Sequence, residues 1–246
     1  MAAQCETRRY AAATVQIELP NQPCALAWVD DALVAATYDY VEAEGARVGG
    51  LCLLRNTEIA ATLELRGGYA LAPRGSQLAV ATADGRVALV DIAETLAAST
   101  VSEPKGHLFT DVVWDGPDAL IVAEGDSGRV SRWRADDGLA ETQSWDAHAY
   151  APGCPAEVWC VGRDPSTGLY VSGADDGLLK GWDLRSPKPA LALRHGAGVT
   201  AVLCDDDAVT TGSYDESVRL WDLRAPSAPP ARAGPRAART RRTIQL

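Results

Sequence analysis

Residues 172–185 recur 39 positions later as residues 211–224, weaker copies of the same Trp-Asp ending lie upstream, and short Val-, Thr- and Leu-rich runs fill the intervals. These three observations predict an all-β fold, a WD-repeat β-propeller with five recognisable blades of a seven-bladed parent. In the strong pair Gly173 falls on Gly212, Asp176 on Asp215, and Trp182-Asp183-Leu184-Arg185 on Trp221-Asp222-Leu223-Arg224. A unit of about 40 residues ending in Trp-Asp marks a four-stranded blade that packs on its neighbours.

The blades follow in order. The first holds strand-length runs at Cys24–Trp28 and Ala32–Thr37 and closes on Gly49-Gly50-Leu51-Cys52-Leu53-Leu54-Arg55. The second has Gln77–Thr82, then Ala83-Asp84-Gly85 leading to Val90-Asp91, with Asp84 on Asp176. The third has Asp111–Trp114, Ala119–Ala123 and a closing run from Gly128 to Trp133-Arg134. The fourth closes on Trp182-Asp183, and the fifth runs through Val199–Cys204, Ala208–Ser213 and Ser217 to Leu223. Each run is bounded by Asp or Gly turn residues and suits a half-buried strand. The repeat points 54, 90, 133, 182 and 221 are 36, 43, 49 and 39 apart, the variation that loop insertions produce. Asp176 and Asp215 fall in the tight turn before the last strand, where a carboxylate bonds local backbone N–H groups.

The chain divides into an N-terminal segment (1–21), the partial propeller (22–225) and a tail (226–246). The tail holds five Arg, four Pro and no acidic residue, so it reads as a disordered basic segment. It carries +5, so residues 1–224 carry −15. The shift comes where a further blade would begin. A ring left open there bares two sheet edges, which invites aggregation or a partner.

Composition narrows the function classes. A net charge of −10 argues against nonspecific nucleic-acid binding by the body of the protein. The apolar stretches are strand-sized, and no membrane-spanning segment is expected. Six cysteines (Cys5, Cys24, Cys52, Cys154, Cys160, Cys204) form no Cys-x-x-Cys pair, and the N-terminus has no signal-peptide pattern. A reducing, cytoplasmic setting is the expectation. Seven Trp and seven Tyr against one Phe fit a repeat whose large ring must pack while its N–H finds a partner.

No nucleophile elbow, phosphate-binding loop or zinc helix is present. Three histidines (His107, His148, His195) are too few and too far apart to predict a metal site, and no cofactor is expected. On pattern alone this is a binding scaffold.

Longer strings add to that reading. Trp145-Asp146-Ala147-His148, Glu157-Val158-Trp159, the run Tyr170 to Arg185 with Asp-Asp-Gly-Leu-Leu-Lys-Gly-Trp-Asp, Arg194-His195, and Gly212-Ser213-Tyr214-Asp215-Glu216 occur in that order. They resemble the diphthine methylesterase family, WD-repeat proteins of diphthamide biosynthesis. The match is good over 145–225, looser over 24–138 and absent in the tail, and the family's last blades have no counterpart. The resemblance implies hydrolysis of the methyl ester of methylated diphthine on a histidine of translation elongation factor 2, which would be the protein partner. Such hydrolysis needs a nucleophile or activated water, a base and an oxyanion donor. The candidates are His148, Glu157 and His195 for catalysis, and Trp159, Asp175, Tyr214 and Glu216 for substrate binding. Carboxylates and aromatic faces also suit the trimethylammonium group of that substrate.

Each candidate has a structural alternative. His148 and His195 precede a blade's first strand, where WD repeats place a histidine bonded to the turn Asp and the Trp. Trp159 would ordinarily be buried packing. Asp175 and Tyr214 share one blade position but differ between repeats, which favours a channel or loop role. The cysteines fit as small apolar strand residues, with Cys154 kept as a remote nucleophile candidate. Two other functions stay open: a noncatalytic protein-interaction scaffold, and RNA contact through the basic tail.

Overall fold

The computed structural model describes residues 15–43, 45–136, 138–186, 188–206 and 208–224. The basic tail expected over 226–246, and residues 1–14 of the N-terminal segment with Cys5, lie outside the described residues. The described chain forms five antiparallel blade sheets in sequence order and one separate two-stranded sheet, with no α-helix. Blade 1 is β1 (Gln22–Val29), β2 (Ala32–Val41), β3 (Ala46–Arg55) and β4 (Glu58–Glu64). Blade 2 is β5 (Gly68–Arg74), β6 (Gln77–Thr82), β7 (Val87–Ile92) and β8 (Leu96–Val101). Blade 3 is β9 (Asp111–Trp114), β10 (Ala119–Glu124), β11 (Arg129–Arg134) and β12 (Ala140–Asp146). A small hairpin, β13 (Ala149–Ala151) with β14 (Cys154–Pro155), leads into blade 4: β15 (Val158–Arg163), β16 (Tyr170–Ala174), β17 (Leu178–Trp182) and β18 (Leu191–Arg194). Blade 5 has β19 (Val199–Cys204), β20 (Val209–Ser213) and β21 (Val218–Trp221).

The repeat points are equivalent in register. Leu54, Val90, Trp133, Trp182 and Trp221 all lie on the third strand, opposite Leu33, Leu78, Leu120, Tyr170 and Val209 of the second. The last blade differs slightly from expectation: its closing strand stops at Trp221 rather than Leu223. The Asp222 carboxylate accepts from the Arg224 backbone N–H at 3.0 Å, which turns the chain out of the ladder. Asp183 does the same to Arg185 at 3.1 Å in blade 4.

The first strands pack consecutively, β1 on β5, β5 on β9, β9 on β15 and β15 on β19, so they are the inner strands around the axis. The core lies between blades. Val34, Leu53, Leu71 and Val90 fill the first interface; Phe109, Leu120 and Trp133 the second; Ile121, Val161 and Trp182 the third; Val171, Leu179 and Trp221 the fourth. Burying such side chains supplies about 1.5–3 kcal/mol each. All inner strands begin at one end of the ring, here called the upper end.

Candidate functional site

The histidines are held inside the blades. His148 is 2% exposed. Its Nδ1 faces both Asp176 oxygens at 2.9 Å and its Nε2 lies 2.8 Å from Ser172 Oγ, which also accepts from Trp182 Nε1 at 2.7 Å. A neutral ring satisfies this network, with Nδ1–H donating to Asp176 and Nε2 accepting the Ser172 hydroxyl. Burial, set against the pull of Asp176, holds the imidazole pKa below its usual value. Blade 5 repeats the set: His195 Nε2 to Thr211 Oγ1 at 2.9 Å, Trp221 Nε1 to the same oxygen at 2.8 Å, and Asp215 near His195 Nδ1. Blade 3 carries a rewired version. There Trp133 Nε1 donates to Ser131 Oγ at 2.8 Å, and the fully buried Glu124 receives Lys105 at 2.7 Å and pairs with His107 at 3.2 Å. Burial alone would raise the Glu124 pKa, but its bonds to His107, Lys105 and Ser131 bring it to about 2. Three histidines thus serve three blades, each tied to a Trp through a hydroxyl or carboxylate. Both nitrogens of His148 are occupied, and neither His148 nor His195 faces the upper surface openly.

A second group gathers at the upper end. Asp175 N–H donates to the Glu157 carbonyl at 2.9 Å, as Ala83 N–H does to Gly67 and Tyr214 N–H to Gly198, each also at 2.9 Å. The shared bond makes Gly67, Glu157 and Gly198 equivalent, and likewise Ala83, Asp175 and Tyr214. Of these three blades, only blade 4 places a carboxylate at the first position. The next position but one is a bulge in each inner strand, between Gly68 and Ala70, Val158 and Cys160, and Val199 and Ala201. A bulge turns its extra residue out of the ladder, here Tyr69, Trp159 and Thr200. Blade 1 has its own bulge between Pro23 and Ala25, at Cys24, and Tyr38 at the Asp175 position.

These residues meet. Trp159 Nε1 donates to Asp175 Oδ1 at 2.8 Å, and the Tyr150 hydroxyl of β13 also bonds Asp175. Gly198 leaves room for them: a Cβ there would stand 2.6 Å from Asp175 Oδ1 and 3.4 Å from the Tyr214 ring. Tyr38 and Tyr69 pack edge to face with ring centroids 5.9 Å apart. Burial raises the Tyr69 pKa, and coupling to Cys24, Glu157, Tyr38 and Tyr214 adds to it, which brings blades 1, 2, 4 and 5 into one neighbourhood. Glu157 is half-buried; burial and then the charges of Asp175 and Asp126 push its pKa up. A carboxylate with a raised pKa is a better proton acceptor than an ordinary one, and when ionised it attracts a cation.

Of the sequence candidates, Glu157, Trp159, Asp175 and Tyr214 come together at this mouth. Glu216 sits nearby in the chain, exposed in the β20–β21 turn with a φ of 63°. Cys154 is exposed on β14. Sequence reasoning missed Tyr38, Tyr69, Tyr150 and Asp126. Tyr38 and Tyr69 occupy the Asp175 and Trp159 positions, but the register shows this only once the inner-strand bulges are placed. Among the described residues no group of three or more His, Cys, Asp or Glu side chains is gathered to hold a metal ion.

Comparisons with known proteins agree with the fold. The WD domain, G-beta repeat family model matches residues 188–222. The WD40 β-propeller domain of Doa1 superposes with a TM-score of 0.65 at 14% identity, covering 82% of this chain and 64% of that one. Human diphthine methyltransferase is 37% identical over 94 residues, which are 35% of this chain and 19% of that protein. The Dictyostelium discoideum diphthine methyltransferase homolog is 24% identical over 151 residues, 54% of this chain and 40% of its own length. Mouse F-box/WD repeat-containing protein 8 is 45% identical over 67 residues, 26% of this chain and 11% of that protein. The chain therefore spans less than half the length of the diphthine-related proteins it matches.

Proposed function

We propose that the protein hydrolyses the methyl ester of methylated diphthine on elongation factor 2, with Glu157 as the general base. The observation that carries this is the mouth itself: a carboxylate with a raised pKa at a position that is glycine in blades 2 and 5, set beside Asp175, Trp159 and a group of tyrosines. Similarity to proteins named for diphthine supports the substrate.

In this reading Glu157 takes a proton from water as its oxygen attacks the ester carbonyl. The tetrahedral oxyanion accepts a hydrogen bond from the Tyr69 hydroxyl. The carbonyl then re-forms, the C–O bond to the methoxy group breaks, and Glu157 returns the proton so that methanol leaves. Asp175, with the rings of Trp159 and Tyr214, attracts the trimethylammonium group of the substrate. His148 and His195 keep blades 4 and 5 in shape and act on no substrate atom.

Methanol release tests the base. A positioned general base contributes about 10²–10⁴-fold, so Glu157→Gln should lose on the order of that factor. The wild-type rate should rise with pH through the raised Glu157 pKa, because the base works deprotonated. Equal release by the variant and wild type would remove Glu157 from the mechanism.

A further inference from the structure

The upper end carries a second feature of opposite charge. A groove of about 940 Å³ opens where β3 and β7 begin and β4, β6 and β8 end, at the rim of blades 1 and 2. Arg47, Arg66 and Arg86 line it, with one carboxylate, Glu64. Among the described residues neither Arg47 nor Arg66 has an ion-pair partner, whereas Arg86 Nε lies 3.0 Å from Asp84. Arg47 reaches across the blade seam and donates to the Ala83 carbonyl, which fixes its guanidinium at the groove wall. Leu63 and the exposed Val101 supply aliphatic surface beside the arginines.

We infer that this groove binds an extended acidic and aliphatic peptide segment of the protein substrate, flanking the side chain presented to the mouth. The inference rests on the proposed function only for the identity of that substrate. Unpaired guanidiniums offer bidentate donors to carboxylates. The aliphatic surface of Leu63 and Val101 suits the alternate side chains of an extended peptide. The groove lining has no aromatic residue on which a base would stack, which disfavours a nucleic-acid strand. The seam also links the two features, since Ala83 N–H bonds Gly67 at the foot of the Tyr38–Tyr69 pair.

Fluorescence anisotropy on the full chain tests this with three labelled probes: an alternating Glu/Leu octapeptide, its Lys/Leu counterpart, and a single-stranded oligoribonucleotide. The Glu/Leu peptide should bind best. Arg66→Glu, an exposed change, should weaken it about tenfold, and Arg66→Lys much less. Methanol release from a small methyl ester serves as the control and should be unchanged in Arg66→Glu. Tighter binding of the oligoribonucleotide or the Lys/Leu peptide would overturn the inference, and so would equal affinity of Arg66→Glu and wild type. Because binding is read without hydrolysis, failure here leaves the esterase reading standing, and failure of the esterase leaves the groove testable.

Discussion

Replacing Ser172 with Ala probes how the blades are held. Ser172 is fully buried, and its hydroxyl joins Trp182 Nε1 at 2.7 Å to His148 Nε2 at 2.8 Å. Alanine keeps the backbone and nearly the volume, but leaves an indole N–H and a ring nitrogen buried without partners. Each unsatisfied group costs about 1–3 kcal/mol, so the loss should be about 2–6 kcal/mol. Urea denaturation followed by tryptophan fluorescence reads this directly, since Trp182 and Trp145 pack at a tilt with centroids 6.0 Å apart in the same core. A double variant with His148→Ala should cost less than the sum, because one orphaned partner is already gone. A loss below about 0.5 kcal/mol, the range of ordinary surface changes, would refute the network as a structural device.

Acid should destabilise the fold in two steps. His148 has a lowered pKa in the folded state, so the unfolded chain takes the proton first and stability falls as pH drops through the usual imidazole range. Glu124 titrates at about 2 when folded against 4.5 in the unfolded reference, so its contribution, on the order of 3 kcal/mol, is present above 4.5 and fades below it. Denaturation midpoints across pH, with Glu124→Gln as the variant that flattens the lower step, check both. Gly198→Ala should reduce methanol release several-fold with little change in stability, because its Cβ would displace Asp175 from Trp159. Tyr214→Ala should raise KM and leave kcat nearly unchanged, because the 68% exposed ring offers binding surface and no chemistry.

The blade architecture was legible because packing imposes it on every copy. A large third-strand residue must meet the neighbouring blade, so Trp133, Trp182 and Trp221 recur at readable intervals, with Leu54 and Val90 in the same register. Glu157, Trp159, Asp175 and Tyr214 drew attention where blade 4 and blade 5 differ at matched positions. The rest of the mouth was hidden for physical reasons. A bulge shifts register by one residue, so Tyr69 looks like any strand tyrosine until the ladder shows it turned out. Tyr150 belongs to a hairpin found between blades 3 and 4 alone, with no repeat to compare. Blade 3 moved its hydroxyl from the second strand to Ser131 and its acid to Glu124, so His107 carried no recognisable pattern. The Arg47 groove joins residues from five strands in two blades, which no linear motif records.

The account stands or falls on the ester bond. Intact elongation factor 2 bearing methylated diphthine, incubated with the full chain and weighed by mass spectrometry, should lose the mass of one CH₂ per molecule as ester becomes acid, and should keep it with Glu157→Gln. An unchanged mass after incubation with folded wild-type protein would contradict the assignment of this mouth as an esterase site.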